Sequence, residues 1–504
     1  MRNPKVETVR GVNDVLPPTY QLQKQIENQL SSCFQSFGYR PLDVPVIEYT
    51  ELFLRKSGEE LISRMYDFTY HNRRLCLRPE LTASVARAYI QTTLQGEPLP
   101  VRLYYSGPVF RYEKPQRGRY RQFTQMGVEA IGAAGSMADA EMIALACQSL
   151  DKLGLKDYRV VLGNISLLNQ FLRTMPLERR LGNFLLSQIE ELRKVGRAAL
   201  EAAIEEICPP DNLVETSRLQ HLLQGLSEEE AKATILELLE STNVNLVGNR
   251  QKMDIANSLM GKIQRAEQKP LWLKALDFME QLAQLQGKPQ EVLPSARQLL
   301  ASYHMDSGGL GELEEILAIL PSYNIDSTRI ILDFGLSRGL QYYTGTIFEI
   351  HHETLGQERQ LCGGGRYDDL VKTLGGNNDI PASGFSFGIE RIRLAMESEG
   401  ILPVVEERAV DALIVPLSAA EHCYSIEVGE KLRSKGLRVV LEVRGKNLST
   451  SLKYAAKQTI PFVIVVGEAE RLANVVVVKN MATRQQQQLP LEEAVMVMRR
   501  ENDE

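Results

Sequence analysis

Phe110-Arg111-Tyr112-Glu113-Lys114-Pro115-Gln116-Arg117-Gly118-Arg119-Tyr120-Arg121-Gln122-Phe123 sets five cationic side chains around a Pro/Gly turn, between two aromatic, strand-like ends. Such a stretch reads as a hairpin whose mouth can hold a polyanion. Its arginines offer bidentate, charge-assisted hydrogen bonds to phosphate oxygens. Tyr112 and Phe123 offer flat faces on which a base can stack. A nucleoside triphosphate and a nucleic-acid end both fit, and so does a solvated basic hairpin.

Working outward, Gln125 and Glu129 follow on the second strand of the hairpin, and residues four apart share one face of a sheet. Upstream, Leu77-Arg78-Pro79-Glu80-Leu81-Thr82 places a carboxylate and a hydroxyl two residues apart after a proline. That pair suits an ammonium group, or equally a helix cap. Downstream, Ser337-Arg338-Gly339-Leu340-Gln341-Tyr342-Tyr343-Thr344-Gly345 joins an arginine that can neutralise developing phosphoryl charge to tyrosines that can select a polar ring. Gly363-Gly364-Gly365-Arg366 permits close backbone approach to a ligand, and Arg391 stands where a strand runs into a helix. Walker A, GxGxxG and metal-type histidine patterns are missing from the sequence, and His351-His352 is expected at an exposed strand end.

Composition narrows the class. A chain of 504 residues with 43% hydrophobic and 24% charged residues is globular and is expected to form about two to four domains. No apolar run is long enough to span a bilayer, and the first residues lack the apolar core of a secretory signal, so a cytoplasmic protein is expected. Six scattered cysteines without CxxC spacing read as reduced packing residues. At a net charge of −6, nucleic-acid contact has to come from local patches.

Residues 1–163 mix helix and strand: a helix over 22–37 stopped by Gly38, an edge strand over 39–47 containing Pro41 and Pro45, and strands near 66–70, 102–112, 120–132 and 158–162. Over 164–320 strand signals fade and amphipathic helices are expected, for example over 219–239 and 263–285, with a break at Cys208-Pro209-Pro210-Asp211 and Trp272 in the core. Strand chemistry returns over 321–402. After a charged linker, 409–504 alternates strand and helix as a small α/β domain, with Gln485 to Gln488 as a loop.

In order and type these segments resemble the histidyl-tRNA synthetases, a family of class II aminoacyl-tRNA synthetases. Residues 38–45 look like the dimer-forming motif 1, 110–129 like motif 2, and 384–391 like motif 3. Residues 336–349 and 363–370 look like the two histidine signatures, and 409–504 like the anticodon-binding domain. The resemblance as read covers all but the helical insertion. It implies an α+β fold: an antiparallel-sheet class II catalytic core (1–163 and 321–402) interrupted by a helical insertion (164–320), then an α/β anticodon-binding-type domain.

The resemblance also implies roles. Glu80, Thr82 and Gln125 would hold the α-amino group of L-histidine, and Glu129 with Tyr342 or Tyr343 would read its imidazole. Arg111 and Arg391 would bind the α- and γ-phosphates of ATP, with Arg119 near the phosphate tail and Phe123 under the adenine. Arg338, with Arg111, would be catalytic, and Lys114 and Gln116 would meet the acceptor end of tRNA(His). The implied partners are ATP as substrate with Mg²⁺ on its phosphates, tRNA(His) and a second copy of the chain. Neither a protein-held metal site nor a membrane is expected. The chain departs from the family pattern at Gln341, where Asp is usual, and at Thr124, where His is usual. Those departures motivate the alternative of a non-charging paralogue, a regulatory subunit of the ATP phosphoribosyltransferase type.

Overall fold

Pro17 and Pro18 open helix α1 (Pro17–Ser36), where missing N–H groups cost nothing. Leu22, Ile26, Leu30, Cys33 and Phe34 form its buried stripe. Gly38, at φ +80°, ends it in a conformation that favours glycine. The computed structural model describes residues 6–57, 64–207, 228–241, 269–336, 342–403 and 410–500. They divide into two compact units, Met1–Leu402 and Pro403–Glu504.

The first unit is built on a nine-stranded sheet. Its strands are β1 (Arg40–Pro41), β5 (Val101–Phe110), β6 (Gln122–Ile131), β7 (Tyr158–Asn164), β8 (Gln286–Gly287), β9 (Ile330–Asp333), β10 (Thr346–His352), β11 (Gln360–Arg366) and β12 (Ala382–Gly388). They lie side by side in the order β1-β5-β6-β12-β11-β10-β7-β9-β8. Pairing is antiparallel except between β1 and β5 and between β7 and β9. Proline-containing β1 sits at the sheet edge, where a missing N–H is tolerated. The hairpin β5–β6 runs in register from Val101 opposite Ile131 to Phe110 opposite Gln122. A separate three-stranded sheet, β2 (Ile47–Tyr49), β4 (Arg73–Leu77) and β3 (Tyr66–Tyr70), leaves Ile47, Tyr49, Phe68 and Tyr70 exposed.

Helix α2 (Thr50–Ser57) packs against helix α3 (Thr82–Gln91). Helix α4 (Gly135–Lys152) is apolar almost all round because it lies between α1 and the helix Gly308–Ile319. Between β7 and β9 the described chain is helical apart from turns and the short strand β8, including Arg179–Val195, Arg197–Ile207, Glu228–Ser241 and 269–284, with Trp272 buried. The expected break at 208–211, and parts of the helices expected over 219–239 and 263–285, lie outside the described residues.

The second unit holds a five-stranded sheet ordered β14 (Val439–Leu441), β13 (Ala412–Pro416), β15 (Phe462–Val466), β16 (Val475–Asn480) and β17 (Gln486–Pro490). Its central strands are buried on both faces, which is why they read as continuous valine and isoleucine runs.

Three expectations are corrected. Gln486 to Gln488 is not loop but the start of β17, paired antiparallel with β16. His352 is fully buried, with Nε2 3.0 Å from Glu399 and Nδ1 2.9 Å from the Thr354 hydroxyl. Cys423 is exposed rather than packed, whereas Cys33, Cys76, Cys147 and Cys362 are buried; Cys208 lies outside the described residues.

Candidate active site

The hairpin β5–β6 delivers two of its five cations, Arg111 and Arg119, to one cavity. Arg111, Glu113, Arg119, Phe123 and Gln125 line it from the hairpin, Gln360 to Gly363 from β11, and Ser386, Glu390 and Arg391 from β12 and the helix that follows. The Arg111 guanidinium lies 5.2 Å from the Phe123 ring centroid, and its Nε donates to Pro79 O at 2.9 Å. Arg119 pairs with Glu113. Burial alone would raise Glu113, but the hydrogen bond and charge of Arg119, with Arg111 and Arg64, hold its carboxyl below the ordinary value. Arg391, in the first turn of the helix Ile389–Glu399, donates to Gly118 O at 2.9 Å and Gln360 O at 3.0 Å, tying the hairpin tip to β11. Lys114 and Gln116 are exposed at the turn, where Gln116 and Arg119 exchange backbone hydrogen bonds of 3.0 and 2.9 Å.

Behind this basic wall lies a buried polar cluster. Glu80 accepts from the N–H groups of Thr82 and Ala83, both at 3.0 Å, and so caps α3. Gln125 accepts from Leu81 N at 3.1 Å and donates to the Ser386 hydroxyl at 2.6 Å, tying the Glu80 loop to β6 and β12. Glu129 is 1% exposed. Tyr105 donates to one of its oxygens at 2.9 Å and Tyr367 to the other. Burial pushes the Glu129 carboxyl up to about 7, against hydrogen bonds from Tyr367, Thr82 and Tyr105 that favour its charge. Burial beside Glu129 also raises the Tyr105 and Tyr367 phenols well above their ordinary value, so both stay donors.

Tyr342 and Tyr343 are buried and stacked, with ring centroids 4.4 Å apart. Tyr342 meets the Tyr367 ring edge-on at 5.7 Å. Thus the structure brings Glu80, Thr82, Gln125 and Glu129 together, with Tyr342 one ring further from the carboxylate than Tyr367. Arg338 and Gln341 lie outside the described residues. The strand leading toward them ends at Asp333, which Arg193 grips at 2.9 and 2.6 Å and which accepts from Gly335 N at 2.8 Å.

The histidyl-tRNA synthetase family model matches residues 11–269 and 220–392, and the anticodon-binding domain model matches 411–501. The chain belongs to the histidyl-tRNA synthetase family. The two matched stretches run through the helical segment, which the sequence reading had set outside the resemblance. A histidine–tRNA ligase from Thermococcus kodakarensis is 32% identical over 495 residues, covering 97% of this chain and 98% of the relative. The crystal structure of apo Staphylococcus aureus histidyl-tRNA synthetase is 27% identical, with a TM-score of 0.64 over 98% of this chain and 100% of that one. A Bacillus halodurans chain described as an ATP phosphoribosyltransferase regulatory subunit/histidyl-tRNA synthetase shares the fold, at 23% identity and a TM-score of 0.59 over 92% of this chain and 98% of that one.

Within this synthetase fold, sequence reasoning missed three groups. Tyr105 was findable from register: it stands opposite Gly127, and Glu129 is the next residue on that face. A side chain at 127 would crowd the Tyr105 hydroxyl, at 2.8 Å from a Cβ placed there. Tyr367 follows the glycine run, where its hydroxyl had no visible assignment. It is aimed by its neighbour: buried Arg366 pairs bidentately with Asp139, at 2.6 and 3.1 Å, and reaches Ala133 O and Asp368 at 3.0 Å. Glu390 accepts from Thr124 N at 2.9 and 3.1 Å and is raised by burial. Only the fold brings those two segments together.

Proposed function

We propose that the chain activates L-histidine with ATP and transfers the histidyl group to the 3′ end of tRNA(His). The observation that carries this reading is the buried Glu129 carboxylate, held by Tyr105 and Tyr367 behind the Arg111, Arg119 and Arg391 wall. A buried acceptor facing a ring N–H discriminates, because a side chain without that donor leaves one acceptor position of the carboxylate unfilled beside the two tyrosine hydroxyls.

In this reading Glu80, Thr82 and Gln125 receive the ammonium group, and Tyr342 and Tyr343 close the ring pocket. Arg111 and Arg391 take the α- and γ-phosphates, Arg119 the tail, and Phe123 the adenine. The histidine carboxylate attacks the α-phosphorus, forming the acyl–phosphate bond as the bond to the β-phosphate oxygen breaks and pyrophosphate leaves. Arg338 neutralises the charge that develops. The terminal ribose hydroxyl of tRNA then attacks the acyl carbon and AMP departs, with Lys114 and Gln116 at the acceptor end. Catalysis is positioning plus fixed charge.

Among the described residues no cluster of three or more His, Cys, Asp or Glu could hold a metal. In this reading Mg²⁺ enters on the phosphates, which suits an ion that keeps water and takes one or two carboxylates. Glu113 and Glu390 are the cavity's carboxylates able to add oxygens to it.

The same reading divides the chain into a core (1–163 and 321–402), an insertion (164–320) that reaches the acceptor arm, and an anticodon-binding unit (409–504). It makes the exposed face of Ile47, Tyr49, Phe68 and Tyr70 the seat of a second copy, and the working form a cytoplasmic homodimer. Among the described residues no helix is long and apolar enough to cross a membrane. The regulatory alternative has no better support, since the Bacillus halodurans likeness extends to the fold alone.

The test is histidine-dependent ATP–pyrophosphate exchange, run with charging of total tRNA by each amino acid. Charging with histidine alone is expected. Folded protein with neither activity overturns the reading.

A further inference from the structure

Arg78 stands two residues before Glu80, yet its side chain is 1% exposed and serves the chain itself. Nε donates to Pro108 O at 2.9 Å, and Nη1 to Val44 O and, at 3.3 Å, to Pro45 O. Its main chain repeats the pattern: Arg78 N donates to Val46 O at 3.0 Å, and Arg78 O accepts from Phe110 N at 2.9 Å. Asp43 and Glu48 act on its charge through space, while these direct contacts are all to backbone. On β5, the glycine at 107 leaves the room that Nη2 occupies, since a Cβ there would run into it.

A buried cation is expensive unless hydrogen-bonded on several sides, and only a planar guanidinium fork reaches carbonyls from two segments at once. The expense is placed where the histidine loop meets the phosphate-binding strand. Arg78 fastens residues 78–82 to β5, and one residue beyond β5 Arg111 returns the link to Pro79 O at 2.9 Å. The ammonium-binding and α-phosphate-binding groups are thereby held as one body.

We propose that Arg78 is a positioning residue for amino-acid activation: it sets the distance between the loop that holds the substrate's ammonium group and the strand that presents Arg111 to the α-phosphate. This role rests on the histidine-activation reading, and the parent protein's own exchange activity separates the two. A parent without exchange overturns the activation reading; a parent with it leaves Arg78 to be judged on its variants.

The variants are Arg78→Lys, which keeps charge and loses the fork, and Gly107→Ala, which keeps Arg78 and pushes its guanidinium from the strand side. Each is compared with the parent by ATP–pyrophosphate exchange per titrated active site, by histidine binding and ATP binding measured separately, and by thermal unfolding. Misplacement by about 1 Å costs up to about 100-fold in rate. The expected result is a 10- to 100-fold fall in kcat per site, roughly, with either substrate alone bound within about threefold of the parent. A merely structural role predicts fewer active sites with unchanged kcat at each. Should Arg78→Lys fail to fold, Gly107→Ala decides alone, and unchanged kcat per site in folded Gly107→Ala overturns the proposal.

Discussion

Replacing Glu129 by Gln keeps the side chain's shape and removes its charge, and two measurable properties then move in opposite directions. Burial lifts this carboxyl from 4.5 to about 7. At about 1.4 kcal/mol per unit, the ionised form is therefore disfavoured in the empty pocket by roughly 3 kcal/mol. Between those two pH values the folded chain binds more protons than the unfolded one, so stability falls as pH rises through the window, and the full penalty stands above pH 7. The neutral amide of the Glu129→Gln variant carries no such penalty. With an unfolding entropy of about 2.1 cal/mol/K per residue and a first unit of roughly 400 residues, the variant should gain about 3 to 4 °C in Tm relative to the parent between pH 4.5 and pH 8. Activity should go the other way. A hydrogen bond from the imidazole N–H to a buried charge contributes about 1.5–3 kcal/mol, so kcat/KM for histidine should fall roughly 10- to 150-fold, with ATP affinity unchanged. The assays are thermal unfolding at several pH values and histidine-dependent pyrophosphate exchange. A pH-independent Tm difference, or exchange within about twofold of the parent, refutes the reasoning.

Gly384 lies directly opposite Glu129, and a Cβ there would collide with the carboxylate and stand 2.5 Å from Val128 O. Gly384→Ala should abolish histidine activation while isothermal titration still detects ATP binding; histidine activation at the parent rate would contradict the packing. Arg366→Met leaves Asp139 buried without its partner and should cost about 3–5 kcal/mol in urea denaturation, part of which Asp139→Asn restores. A loss under about 1 kcal/mol would mean that the pair does not hold the sheet to α4. Arg391→Met removes the proposed phosphate ligand and the tie between Gly118 and Gln360. The KM for ATP should rise about 10- to 100-fold with histidine binding intact, and equal loss of both affinities would place Arg391 in the fold rather than in the nucleotide site.

Elements whose side chains carry the pattern were legible. The stripe from Leu22 to Phe34 and the stop at Gly38 mark α1, and the Pro/Gly turn between aromatic ends marks the hairpin that the structure realises as β5 and β6. Elements formed by the backbone alone were not. The strand Gln486–Pro490 has no apolar alternation in its glutamines, and its ladder with β16 is a main-chain property. His352 looked like an exposed strand end because the carboxylate that meets it is invisible to local reading: Glu399 closes a helix 47 residues on, and Thr354, two residues away, reaches back only because the chain turns after the strand.

The sequence by itself pointed to the class of chemistry only through the order and type of its motifs together, since the arginines near aromatics, the carboxylate and hydroxyl after a proline, and the paired tyrosines after an arginine each also admit a purely structural role. It also determined that Glu129 and Gln125 share a face, since strand period is a local property. Only the tertiary structure decided which hydroxyls reach Glu129. Tyr105 arrives across one ladder and Tyr367 from the end of β11, two strands away on the other side, with Gly127 and Gly384 leaving the space. Only the fold shows that burial outweighs the hydroxyls favouring the charge and lifts that carboxyl to about 7, because desolvation is a sum over everything packed around a group and no stretch of chain contains it.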